Sequence, residues 1–411
     1  MTSFMREHIK KKPFYKKRWF AKTIVTIFLG VVFGMVFAVS FSMTFPWAQK
    51  NFGTPEVYES NRETTDETAW SEITQSTVQQ STGEKENFRM DLQDYKDVYE
   101  QIHDVAREAF SGMLMVSGVS SGTDLFREVY ENEKKASGMI VSITDSEIWL
   151  VTERRILKDA ERAIVTLNDD SICDAKIEKT DDISGLAVLT VSTDELREDQ
   201  IKSMRVLKFG TTQNLQQAEP VIAVGSPLAT SNSIASGVVT SIVDTPVMDG
   251  SYKIVNTDIT GSTEGNGILL NMDGEVVGVL TQKFGGNVQA RIRAISSDDV
   301  SEIVRELISK TEKVMLGITG RTVNETISEE LDMPQGMYVT AVTTDSPAML
   351  NGIQCGDIVV AIKNNKIENQ KDYQNVLKQC TIGEEIPIQI MRKVRDGYSE
   401  MEIKVRLEKK Q

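Results

Sequence analysis

The chain has 411 residues, 40% of them apolar and 26% charged, enough for two or three globular domains of ordinary composition. Its net charge of −14 excludes a general nucleic-acid binder, which needs basic surface against phosphate. Three Cys and two His fit no metal-ligand spacing, and no metal or cofactor is expected.

The charge is unevenly placed. Residues 1–22 hold eight Lys/Arg against one Glu, a cluster of +7 that leaves −21 on the remainder. Next comes Thr23–Phe45, 23 residues without a charge. At about 1.5 Å per residue this run exceeds the roughly 30 Å of a bilayer's hydrocarbon core. It is longer than a signal-peptide core, and Trp19 and Trp47 stand at its borders as interfacial anchors. The positive-inside rule then puts 1–22 in the cytoplasm and everything after 46 outside. Gly30 and Gly34 form a GxxxG, a spacing that can pair helices. Residues 46–90, rich in Ser, Thr, Gln and Glu with no apolar period, read as a disordered acidic tether.

From Asp91, apolar residues at Leu92, Tyr95, Tyr99, Ile102, Ala106 and Ala109 recur at helical steps. Short strands follow, clearest at 113–116, 138–141, 148–151, 163–167 and 186–189. They alternate with turn signals as far as about 295, the pattern of an all-β barrel or sandwich. Within this stretch, Thr257–Gly278 reads TDITGSTEGNGILLNMDGEVVG: a Thr-Asp pair, a Gly-rich loop, an apolar run, a turn at 271–274 and a strand from Glu275 to Leu280.

That segment resembles the nucleophile loop of the bacterial HtrA/Deg proteases, which reads TD, then GNSGGPLLN, then DGEVIG. Residues 219–228 (EPVIAVGSPL), 236–240 (SGVVT) and Lys208-Phe209-Gly210 resemble further family segments. The resemblance implies the double β-barrel of trypsin-like proteases over 91–296. Acyl transfer on that fold needs a Ser, a His to take its proton and an Asp to orient the His. Counted from either side of the loop, which is one residue short, the family's Ser falls on Gly265 or Asn266. Its His falls on Arg155, whose guanidinium cannot act as a base. Its Asp falls on Gly185, with Asp181 and Asp182 just upstream. No catalytic residue is therefore expected.

Other arrangements stay open at this stage. Ser262 could pair with Lys253 or Lys283 as a Ser–Lys site, and an active HtrA-like endopeptidase of envelope quality control would then be the alternative function. His8 and His103 occupy no expected place. Cys173, Cys355 and Cys380 read as small apolar residues, with a Cys355–Cys380 disulfide left open. Ala290–Ile295 replaces a Gly-rich strand that borders the family's substrate pocket, which suggests a filled or remodelled pocket.

An amphipathic helix is expected over 297–310, with Val300, Ile303, Val304, Leu307 and Ile308 on one face. Residues 311–411 then resemble the family's PDZ domain through Met315-Leu316-Gly317-Ile318, Gly336-Met337-Tyr338-Val339, Ser346-Pro347-Ala348 and Gly352–Val359. In that reading the amides of Leu316, Gly317 and Ile318 capture a chain-terminal carboxylate, and the strand from Ile318 accepts a peptide at its open edge. A helix near 371–379, with Tyr373, Val376 and Leu377, makes the other wall. The function expected is a membrane-anchored, catalytically inactive, HtrA-like protein that binds polypeptide C-termini or unfolded extracytoplasmic proteins. The resemblance also implies a homotrimer.

Overall fold

The computed structural model describes residues 91–123, 129–284, 291–309 and 312–409. The basic tail, the apolar run, the tether and His8 lie outside the described residues. Among the described residues no helix is long and apolar enough to cross a membrane. Phe88–Gln411 forms one compact unit.

Helix α1 (Leu92–Phe110) opens it. Asp91 accepts the amides of Gln93 and Asp94 while the Asp94 carboxylate accepts the Asp91 amide at 2.8 Å. This capping box satisfies donors that a helix start leaves bare. The apolar stripe seen in the sequence divides in two. Ala106 and Ala109 are buried, whereas Leu92, Tyr95 and Tyr99 are exposed.

The first barrel comprises β1 (Met113–Thr123), β2 (Val129–Ile143), β3 (Glu147–Glu153), β4 (Arg162–Thr166), β5 (Ile172–Asp181) and β6 (Leu186–Ser192). They close antiparallel in the order β1-β2-β3-β6-β5-β4. A short helix α2 (Glu198–Ser203) leads to the second barrel. Its strands are β7 (Pro220–Ser226), β8 (Ser233–Val247), β9 (Gly250–Thr260), β10 (Asn266–Leu270), β11 (Val276–Leu280) and β12 (Arg291–Ser296), closed in the order β10-β11-β12-β9-β8-β7. Closure removes the exposed sheet edges.

Why some strands are apolar on both faces follows from where the cores lie. Successive side chains of a strand point to opposite faces. Ala187, Leu189 and Val191 of β6 fill the first barrel, while Leu186 and Val188 enter a second core between the barrels. β10 divides likewise, Leu269 inward, Ile268 and Leu270 toward the shared core. Helix α3 (Ser297–Ile308) adds Val300, Ile303, Val304 and Leu307 to that shared core. Ser296 caps it by accepting the Asp299 amide at 3.2 Å, and Asp298 and Asp299 suit its dipole.

The C-terminal part is α+β. Strands β13 (Val314–Met315), β14 (Ile318–Val323), β15 (Gly336–Val342), β16 (Ile358–Ile362), β17 (Asn365–Lys366), β18 (Glu385–Val394), β19 (Gly397–Arg406) and β20 (Glu408–Lys409) combine with α4 (Glu325–Leu331), α5 (Pro347–Leu350) and α6 (Gln370–Leu377). The main sheet runs β14-β15-β16-β18-β19, with β14 at its edge. Its separate core includes Leu316, Ile318, Tyr373, Val376 and Leu377. The cysteines are free: Cys173 is buried, Cys380 half-buried and Cys355 exposed. The disulfide left open between Cys355 and Cys380 is thus not formed, and Cys355 is not an interior residue.

Candidate functional site

Of the family's catalytic positions, Asn266 alone lines the void of about 10 Å³ on the seam between the barrels, together with Met113, Thr152, Glu153, Leu186 and Gly267. That is no more than one water needs. Arg155 lies in a 3-10 turn after β3. Its Nε and Nη2 each bond the Glu153 carboxylate at 3.1 Å, and Nη2 lies 3.5 Å from the Glu264 carbonyl oxygen on the nucleophile loop. The Glu153 carboxylate pushes the guanidinium's pKa up, so Arg155 stays a cation and accepts no proton. Gly185 has φ +78° and carries no acid. Asp181 caps the local turn by accepting the Ser184 amide at 2.9 Å, and Asp182 pairs with Arg154 at 2.7 Å.

Asn266 is buried and bridges the seam. Its Oδ1 accepts the Ser137 amide at 2.7 Å, and its Nδ2 donates to the Glu264 carbonyl at 3.1 Å. A Cβ on Gly265 would meet the Pro227 carbonyl oxygen at 2.4 Å, so a side chain does not fit there. The amides of Glu264 and Gly265 donate within the loop, to Ser262 Oγ at 3.1 Å and Ser262 O at 2.9 Å. Donors committed this way are not aimed at a developing oxyanion. Ser262 therefore sits at a structural turn. Lys253 lies on β9, its amide donating to Asp299 at 2.7 Å. His103 is exposed on α1, 3.7 Å from Asp104. Where the family has an open pocket strand, Ile292 is fully buried and closes against Gly261.

Three amides of the Leu316–Ile318 loop converge on a carboxylate, and that carboxylate comes from the same chain. Oδ2 of Asp249 accepts the amides of Leu316 and Gly317, both at 2.9 Å. Oδ1 accepts those of Gly317 at 3.0 Å and Ile318 at 3.1 Å, and the Tyr373 hydroxyl at 2.6 Å. The Asp249 amide in turn donates to the Ile318 carbonyl at 2.8 Å. Burial pushes the Asp249 carboxyl's pKa up, against the pull of these donors; burial and the adjacent carboxylate push Tyr373 well up. The expected open edge of β14 is therefore taken at its first residue. Tyr373 and Val376 face the domain core rather than an open groove, while Leu377 packs on that core beside a cleft shared with α3. No motif in the sequence marks Asp249. Its one local signal is the Asp-Gly dipeptide of a hairpin turn.

A family model described as "Trypsin-like peptidase domain" matches residues 136–279, and one described as "PDZ domain" matches 314–405. "Serine protease Do-like HtrA" of Bacillus subtilis (strain 168) is 28% identical over 297 residues, covering 67% of this chain and 64% of the relative. "Probable periplasmic serine endoprotease DegP-like" of Pseudomonas putida (strain W619) is 29% identical over 269 residues, 64% of this chain and 54% of the relative. The chain thus spans between half and two thirds of the length of these relatives. Among solved structures, "HtrA-type protease AlgW with decapeptide" superposes at a TM-score of 0.55 with 18% identity, covering 75% of this chain and 99% of that one. The "serine endoprotease from Yersinia pestis" superposes at 0.51 with 20% identity, covering 75% and 98%. At these identities the structures speak for the fold. Two six-stranded barrels followed by a PDZ domain, in a chain with these relatives, place it in the HtrA family.

Proposed function

We propose that this chain is a membrane-anchored, extracytoplasmic HtrA-like pseudoprotease that senses or scaffolds polypeptides by binding their C-termini through its PDZ domain. One observation carries the reading. The catalytic positions offer an arginine, a glycine and a buried bridging asparagine, while three amides of the PDZ loop converge on a carboxylate. The loop's geometry suits a chain terminus, and the seam's does not suit acyl transfer. A charge-free run of 23 residues behind a basic tail supports the anchor, and the Pseudomonas relative's name places that protein in the periplasm.

The relatives are named as proteases, and that favours a second reading, an active endopeptidase with a non-standard nucleophile such as Ser262. Labelling the purified full chain with a fluorophosphonate serine probe separates the two. The expected result is no labelled serine and no casein turnover beyond a buffer control. Labelling lost on Ser262→Ala would establish the second reading. The anchor is tested by adding protease to intact cells, after removal of any wall. Residues beyond about 50 should be digested, and a fully protected C-terminus would refute the topology.

A further inference from the structure

The hairpin between β8 and β9 turns through Met248 and Asp249, with Val247 opposite Gly250. Asp249 has φ +55°, a left-handed conformation that aspartate tolerates better than most residues. The turn aims its carboxylate at the PDZ loop and sets its own amide against the Ile318 carbonyl. Amides gripping a carboxylate, and a backbone donor on the first residue of the edge strand, are the two contacts a peptide C-terminus would make there. The Gln370 side chain also donates to the Gly250 carbonyl, extending the grip to the next residue.

We propose that Asp249 is a built-in stand-in for a chain terminus, so that docking of the barrel on the PDZ domain and binding of a peptide C-terminus exclude each other. The ligand class is an unstructured polypeptide with a free C-terminal carboxylate. It gains the site only by releasing the hairpin, and so converts recognition of a terminus into separation of the two domains. This rests on the peptide-binding reading above.

The rest of the contact is suited to release. Beside the turn, between the hairpin, α3 and α6, lies an open cleft of about 420 Å³ lined by Val247, Tyr252, Glu302, Glu306, Leu377 and Lys378. The Lys378–Glu302 ion pair crosses it with both side chains about half exposed, and such pairs contribute little. The carboxylate is the concentrated part of the contact. A closed form holding 99% of the molecules would weaken the apparent affinity for a peptide about 100-fold.

The test uses the full chain in detergent micelles. Fluorescein-labelled decapeptides ending in free Val, Leu or Phe are titrated beside their amidated counterparts, with binding read by anisotropy. Hydrogen exchange at the Leu316–Ile318 amides is followed without peptide. Asp249→Asn keeps a residue that tolerates the left-handed turn and removes the charge. It should bind free-acid peptides at least about tenfold tighter than the parent and exchange those amides faster. Tyr373→Phe, which keeps the buried volume and removes one donor to Asp249, should move both readouts the same way by about 3- to 10-fold. Equal affinity and equal exchange in parent and variants would overturn the proposal and leave the peptide-binding reading standing. Faster exchange with no free-acid peptide bound by any of the chains would overturn the peptide-binding reading, and the competition with it.

Discussion

Gly317 shows how a single position constrains the PDZ loop. Its φ is +90°, and a Cβ there would lie 2.2 Å from the Ser346 Cβ. Ser346 is fully buried and caps α5, so it cannot give way cheaply. Gly317→Ala should therefore destabilise the PDZ domain by about 1–3 kcal/mol, through left-handed strain and overpacking. The obstacle lies inside the domain, not on the path of an incoming peptide. A urea transition of Gly317→Ala with an unshifted midpoint would show that the loop relaxes around the methyl group. Asp249 marks the opposite limit of legibility. Its amide partners lie 67 to 69 positions away and Tyr373 lies 124 away, so no local pattern joins them. The amide loop could be read from Leu-Gly-Ile; its occupant could not.

At the scale of elements, what the sequence reveals depends on how many cores a strand faces. β3, β4 and β6 bury side chains almost continuously, and their apolar runs stand out. β5 leaves Ile172 and Ile177 exposed among charged neighbours, and its mixed pattern conceals a bulged ladder with β6 from Lys176 to Asp181. β8 and β9 also carry many half-exposed residues, so the hairpin that reaches the PDZ domain has no clear apolar alternation in the sequence. The expected helix after the barrels starts at the anticipated Ser297, with its apolar face packed between them. α1 looked uniformly amphipathic, but only its C-terminal turns meet the barrels. Periodicity identifies a helix without telling how much of its stripe is covered.

At the scale of the whole molecule, trypsin-type chemistry needs groups from both barrels held across an open seam. Here Ser137 of the first barrel donates to Asn266 of the second at 2.7 Å, Thr152 donates to the Ser137 carbonyl at 3.1 Å, and the remaining void is about 10 Å³. Replacing side chains alone should not reopen it. In the triple variant Arg155→His, Gly185→Asp, Asn266→Ser, the left-handed Gly185 site can take an aspartate, and its nearest neighbour to a Cβ is Lys283 Cδ at 3.5 Å. The serine, however, deprives the buried Ser137 amide of its acceptor, at a cost of about 1–3 kcal/mol. The amides of Glu264 and Gly265 remain bound to Ser262. Without oxyanion donors a restored triad loses the electrostatic part of catalysis, about 10²–10³-fold per missing donor. The expected outcome is a folded, less stable protein with no acyl-enzyme burst on a chromogenic ester. Adding one residue to the loop at 263–265 should be needed before any burst appears, because only a longer loop can turn those amides outward. A burst from the triple variant alone would show that the backbone of an active protease had been kept and only its side chains lost.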